Sequence, residues 1–220
     1  MANKERNPDR MATATLELRS NQVTNGATPA IDLTKPYIAR IGIVGSAPLL
    51  FHAWNTEAVA AKASAAKNSA AKKEDNIESY VYRTADGILG IPGVNFVGSL
   101  IEVGRYNQDP RSPRKSARDL YKAGLIPLDT VAPFTPATET WDYEDRQRVT
   151  VQRAAITRTR PAMREGWRIE FSVLVNTPEY IPREKLAEIT STAGRLVGLC
   201  DFRPTYGRYA VTSFEAEELG

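Results

Sequence analysis

The sequence is poor in the residues that most often carry covalent or metal chemistry. Its 220 residues include one cysteine, Cys200, and one histidine, His52. A single cysteine closes no internal disulfide, which fits a reducing compartment. One cysteine and one histidine cannot complete a zinc set. Long apolar runs are missing too: the longest uncharged stretch, 41 to 56, is broken by Gly42, Gly45, Pro48 and Asn55, too short and too interrupted to span a bilayer. No apolar block precedes a cleavage site near residue 1, so a cytoplasmic protein without a membrane partner is expected. Phosphate-loop, dinucleotide and nucleophile-elbow signatures are absent: "GIVGSAP" lacks the Lys-Ser/Thr pair that holds phosphate and magnesium. The acidic run "DYED" (142 to 145) reads as an exposed turn, not a cation site. No cofactor and no metal are expected.

What is present is an ordinary globular composition, 42% hydrophobic and 25% charged, able to bury a core without disulfides. The net charge is only +3, but it is unevenly placed. Residues 146 to 168 carry Arg146, Arg148, Arg153, Arg158, Arg160, Arg164 and Arg168 against Glu165 alone. Residues 105 to 122 carry six basic side chains against Asp109 and Asp119. Either these are solvated faces with local ion pairs, or one part of the surface meets an anion. The excess of arginine over lysine in the first segment favours phosphate, which guanidinium binds through forked hydrogen bonds.

Residues 1 to 34 are polar, without apolar periodicity, and read as a flexible arm. A single domain is expected from 35 to 220, with insertions at about 55 to 78 and 105 to 166. "PYIARIGIVG" reads as the first strand. The alanine- and lysine-rich 56 to 74 has high helix propensity but few large apolar groups, so it suits an exposed helix or one packed on a neighbour. "SYVYRTADGILGIP" reads as a hairpin turning at Ala85-Asp86-Gly87. Pro92 opens a helix whose buried stripe is Val94, Val97, Leu100 and Ile101. Ser112-Pro113 predicts a further helix over 113 to 123. "RVTVQRAAITR" (148 to 158) reads as one strand, joined through the loop 159 to 166 to "WRIEFSVLV" (167 to 175), where apolar residues alternate. A helix over 183 to 194 and a last strand, "GRYAVTSFE", complete an α+β pattern with helices on one face of a mostly antiparallel sheet.

Between that helix and the last strand lies "GRLVGLCDFRPTYGRYAV" (194 to 211). Gly194, Gly198 and Gly207 permit positive φ and a close approach to the main chain. Arg195, Arg203 and Arg208 supply charge, and Phe202, Tyr206 and Tyr209 supply rings. Such interleaving suits single-stranded nucleic acid. The plainer alternative is a helix C-cap at Gly194 and a tight turn at Gly207; the glycine spacing does not choose between them. "GLCDFRPTYGRY" resembles the C-terminal glycine-rich loop of the RAMP superfamily of CRISPR-associated proteins. Gly198 and Gly207 match its glycines, while Cys200 and Tyr209 stand where further glycines often occur. "YIARIGIVGSAPLLFHAW" (37 to 54) resembles the first strand and following turn of the same group.

The resemblance implies a ferredoxin-like or RNA-recognition-like antiparallel sheet core with helical and hairpin insertions. It also implies a loop that contacts RNA, and backbone subunits that polymerise along RNA and insert a hairpin thumb between bases. A phage-encoded relative fits equally. The expected nucleic-acid-binding set is therefore Arg153, Arg158, Arg160 and Arg164 on the basic hairpin, with Gly198, Phe202, Arg203, Tyr206, Gly207 and Arg208 on the loop. Partners are single-stranded nucleic acid, RNA favoured, and copies of the chain or related subunits, met head to tail through the alanine-rich helix and "DYED". Two rivals stand beside this non-catalytic reading. His52, between Phe51 and Trp54, is a packed histidine or the general base of a RAMP-type endoribonuclease. Alternatively the chain is a structural protein of a phage particle or filament, its basic segments serving subunit contacts.

Overall fold

The computed structural model describes residues 35–54, 56, 60, 64, 76–151 and 154–219, with the main chain alone at 149, 151 and 154–156. The expected arm, most of the alanine-rich helix and Arg153 lie outside the described residues. Leu33–Gly220 form one compact unit. In chain order its elements are β1 (Tyr37–Gly45), β2 (Leu49–Leu50), β3 (Tyr82–Arg83), β4 (Leu89–Ile91), α1 (Gly93–Val103), β5 (Gln108–Asp109), β6 (Ser112–Ser116), α2 (Arg118–Gly124), β7 (Leu125–Pro127), β8 (Ala132–Pro133), β9 (Tyr143–Val151), β10 (Ala154–Met163), β11 (Arg168–Val175), α3 (Arg183–Leu196) and β12 (Tyr209–Glu218).

The central sheet has the order β12-β1-β11-β7, and every neighbouring pair is antiparallel. Helical crossovers α1 and α3 follow its first and third strands, which is the ferredoxin-like arrangement. Alternation explains why these segments are strands. Tyr37, Ala39, Ile41 and Ile43 of β1, and Ile169, Phe171, Val173 and Val175 of β11, all point to one buried face. The helices cover that face. Phe96 of α1 stacks on Phe171 with ring centroids 4.3 Å apart, and α3 contributes Leu186, Ile189 and Ala193. Such an aromatic pair adds about 0.5–1.5 kcal/mol beyond its area.

The opposite face of the sheet is different in kind. In register, Arg40 lies between Ser172 and Glu215, Ile38 between Leu174 and Glu217, and Gly42 between Glu170 and Ser213. No aromatic ring stands on this face of β1, β11 or β12, and its carboxylates outnumber its arginines.

Several expectations are corrected. The segment 148 to 158 is not one strand: it holds the end of β9 and the start of β10, which pair antiparallel from Tyr143↔Ala162 to Val151↔Ala154. Residues 149 to 156 include no Gly, Asn or Pro, so the strand pattern reads straight through them. Residues 159 to 163 of the expected loop instead continue β10, with Pro161 carrying no amide hydrogen but accepting from Phe51 through its carbonyl. The turn into β11 sits at Gly166, whose φ is +92°. Ser112-Pro113 does not open a helix. The carboxylate of Asp109 accepts from the Arg111 main chain and guanidinium, closing the β5–β6 ribbon, and α2 begins only at Arg118. In α1 the buried stripe is Phe96, Val97, Leu100 and Val103, and Val94 is 63% exposed. Within 105 to 166, β7 is the fourth strand of the central sheet.

Candidate nucleic-acid interface

The glycine loop leaves α3 at Gly198, whose φ of +76° suits the left-handed end of a helix and whose N–H donates to Ala193. Its glycines serve closure of the loop itself. Leu199 N donates to Gly207 O at 2.9 Å, and Gly207 N to Pro48 O at 2.8 Å. A Cβ on Gly207 would sit 2.0 Å from the Leu199 carbonyl, and one on Gly198 2.9 Å from that of Tyr206. Both glycines are buried. The expectation that they bare main chain to a ligand is therefore corrected: two strands of one loop approach each other there. The surface of the loop is made by exposed Arg203, Pro204, Thr205 and Arg208, with Phe202 and Tyr206 half-buried edge to face. Cys200 and Phe202 hold left-handed φ of 59° and 53°, a strain of order 1–3 kcal/mol each.

Two polar ties lock this loop to the basic hairpin. The first is buried. Arg160, 2% exposed, donates through Nε to Asp201 Oδ2 at 3.1 Å, and its guanidinium lies 4.4 Å from the centre of the Tyr80 ring. In the second, Gln147 donates to the Tyr206 hydroxyl at 2.9 Å. The hairpin register explains the pairing: Asp145 opposes Arg160 and Gln147 opposes Arg158, so these four side chains share one face. Arg146 and Arg148 fall on the other face. Arg158, two residues from Arg160, stays half-exposed on the loop side. The structure thus brings Arg158, Arg160, Phe202, Arg203, Tyr206 and Arg208 together. It does not bring Arg164, which belongs to the turn after β10 and lies over the Tyr143 ring at 5.3 Å.

His52 joins the same cluster. Its Nδ1 is 3.3 Å from Asp201 Oδ2, and its ring meets Tyr80 edge-on. Partial burial and then the Arg160 charge hold the imidazole below its ordinary pKa, against the opposing pull of Asp201. The Asp201 carboxylate lies on the Nδ1 side of the ring. Burial pushes the Cys200 thiol up to about 12, so it is inert as a nucleophile.

The exposed side of α1 completes the site, and the sequence reading missed it. A cleft of about 340 Å³ is lined by Val94, Asn95 and Gly98 of α1, by His52 and Tyr82, and by Asp201 and Arg203 of the loop. A second, of about 450 Å³, continues past Arg105 and Tyr106 to Phe202. The two share Glu102, Cys200, Asp201 and Arg203 and form one trough between α1 and the loop. Its carboxylates are neutralised: Glu102 binds Arg105 at 2.8 Å and Arg118 at 2.7 Å, and Asp201 binds Arg160. Tyr106 is 66% exposed. The 3.6-residue period placed Val94 in the core, and only packing reveals its exposure. Among the described residues no cluster could hold a metal ion, and no helix is long and apolar enough to cross a membrane.

No protein-family model and no curated protein sequence matches the chain. Solved structures do. One is a chain of the cryo-EM structure of the type III-B Cmr-beta bound to cognate target RNA, with a TM-score of 0.50, 9% identity and 84% of this chain covered. This chain spans 61% of that one's length. Another is in the crystal structure of the Csm3-Csm4 subcomplex of the type III-A CRISPR-Cas interference complex, with 12% identity, coverage of 84% and 80%, and a TM-score of 0.37. With the strand order β12-β1-β11-β7 and its two crossover helices, the likeness to the Cmr-beta chain makes the fold of this protein RAMP-like.

Proposed function

We propose that this chain is a non-catalytic subunit that binds single-stranded RNA and assembles along it with copies of itself or related subunits. The observation that carries this reading is the trough. Its acids are already paired, while Arg203 lines it, and Arg158 on the hairpin and Arg208 on the loop belong to the elements beside it; none of the three has an acidic partner among the described residues. Tyr82, Tyr106 and Phe202 offer rings beside them. Guanidinium groups contribute affinity through phosphate, and rings contribute through stacking. The open sheet face, by contrast, has neither rings nor a positive field, so bases are not stacked there. RNA is favoured over DNA because the Cmr-beta structure, which shares the fold, is described as bound to target RNA.

Titration of a labelled single-stranded RNA against salt tests the reading. Tight binding at 50 mM salt is expected, with log K falling against log salt at a slope of about −2 to −3.5, as three to five phosphate contacts give. Absence of binding at low salt overturns it. Assembly of subunits that is indifferent to nuclease treatment favours instead a structural protein whose basic segments join its own copies.

The His52–Asp201 pair supports a second reading, an endoribonuclease in which Nε2 takes the proton of a 2′-hydroxyl. Cleavage also needs a donor for the leaving oxygen. Beside His52, Cys200 and Tyr82 are both shifted upward by burial, so neither suits that role at neutral pH, and binding is the preferred reading. Incubating hairpin RNA with the protein and with His52→Ala decides it. No cleavage, or equal cleavage, is expected; cleavage lost in the variant would establish the enzyme.

A further inference from the structure

The helical and helix-flanking glycines of the described chain have reasons inside the fold, with one exception. A Cβ on Gly93 would meet Asp129 O at 2.5 Å, on Gly104 Arg118 Cα at 2.5 Å, on Gly124 Thr177 Oγ1 at 2.2 Å, and on Gly194 Tyr209 O at 2.1 Å. Gly98 has no such neighbour: beyond its own helix and chain neighbours, no atom lies within 4 Å of where its Cβ would be. Its φ is not positive either. It sits in the middle of α1, where glycine is among the poorest helix formers. The fold therefore bears a cost at Gly98 and gains nothing for it.

The position of Gly98 supplies the reason. Val94, Asn95 and Glu102 lie four before, three before and four after it, so they share its helix face. All of them, and Gly98 itself, line the 340 Å³ cleft, with Arg203 across it on the loop. A side chain at 98 would project into the middle of that opening. We infer that Gly98 is a steric gap through which a bound RNA strand makes its closest approach to α1, its sugar against the bare helix backbone and its phosphate toward Arg203. This rests on the proposed RNA-binding reading and names the residue that sets how deep the strand sits.

The test pairs two measurements on Gly98→Ala and Gly98→Leu in the full-length protein: thermal midpoint, and affinity for the same labelled single-stranded RNA. Gly98→Ala is expected to raise the midpoint by about 2–4 °C, since alanine favours the helix and nothing clashes. Both variants are expected to bind more weakly, about threefold for alanine and about tenfold or more for leucine, as overfilling a fitted space predicts. Wild-type binding that both variants retain in full overturns the inference while leaving the RNA-binding reading standing. A lower midpoint for Gly98→Ala also overturns it, because the fold itself would then need the glycine. Wild-type protein that binds no RNA at low salt overturns the function and the inference together.

Discussion

Arg160→Ala is expected to lower stability by about 3 kcal/mol, which for a domain of this size moves the thermal midpoint down by roughly 6–12 °C. The guanidinium is almost fully buried, bonded to Asp201 and to the Thr159 carbonyl, and packed on the Tyr80 ring. Removing it leaves an under-compensated carboxylate and a void. Asp201 keeps 25% of its side-chain surface in solvent, so water relieves part of the loss, which is why the lower end of the usual range applies. Asp201→Ala is expected to cost as much, since it strands a buried cation. The double variant Arg160→Met/Asp201→Asn should cost less than the two single losses together, because neither partner is left charged and alone. Thermal melts of the four proteins check this. An Arg160→Ala protein melting within a degree of wild type would show that the hairpin and the loop are held by something else.

The second large effect concerns binding. Replacing Arg158, Arg203 and Arg208 together by alanine is expected to weaken single-stranded RNA binding by about 100-fold at 50 mM salt, taking charge-assisted contacts at 1 kcal/mol or slightly less each in solvent. The slope of log K against log salt should fall by about 2, as the loss of three phosphate contacts requires. None of the three is buried, so each single change should leave stability within about 0.5 kcal/mol. Glu170→Ala and Glu215→Ala, on the open sheet face, should leave affinity and slope unchanged. The slope discriminates: an affinity loss without it means that the loop has changed shape, not charge. If the triple variant binds like wild type, the strand does not run in the trough.

The central sheet was largely legible because its strands follow the period-two rule. Trp167, Ile169, Phe171, Val173 and Val175 alternate without a fault, and Leu186, Ile189 and Ala193 repeat at helical spacing. The break between β9 and β10 was not legible, because the sequence there lacks the residues that mark turns. Arg160 read as a nucleic-acid-binding arginine of the basic hairpin; only the structure shows it buried and bonded to Asp201, 41 residues away. Local patterns carry no record of such a pairing. The glycines of the loop were legible as loop makers, but not the reason for them, since the Leu199 carbonyl that excludes a side chain at Gly207 is a neighbour created by folding. Val94 misled because a helix with apolar residues on more than one face gives no unique inward direction.

Two of the loop's main-chain bonds, Gly207 N to Pro48 O and Asp201 N to Leu50 O, join segments some 150 residues apart in the chain. Contacts of that separation form late and lengthen the folding time. On a ribosome, residues 48 to 50 emerge long before 201 to 207, so a nascent chain has no trough while it is being made. Only a polypeptide finished through the loop can close the second wall of the trough, so whatever the trough holds is out of reach of a half-synthesised copy.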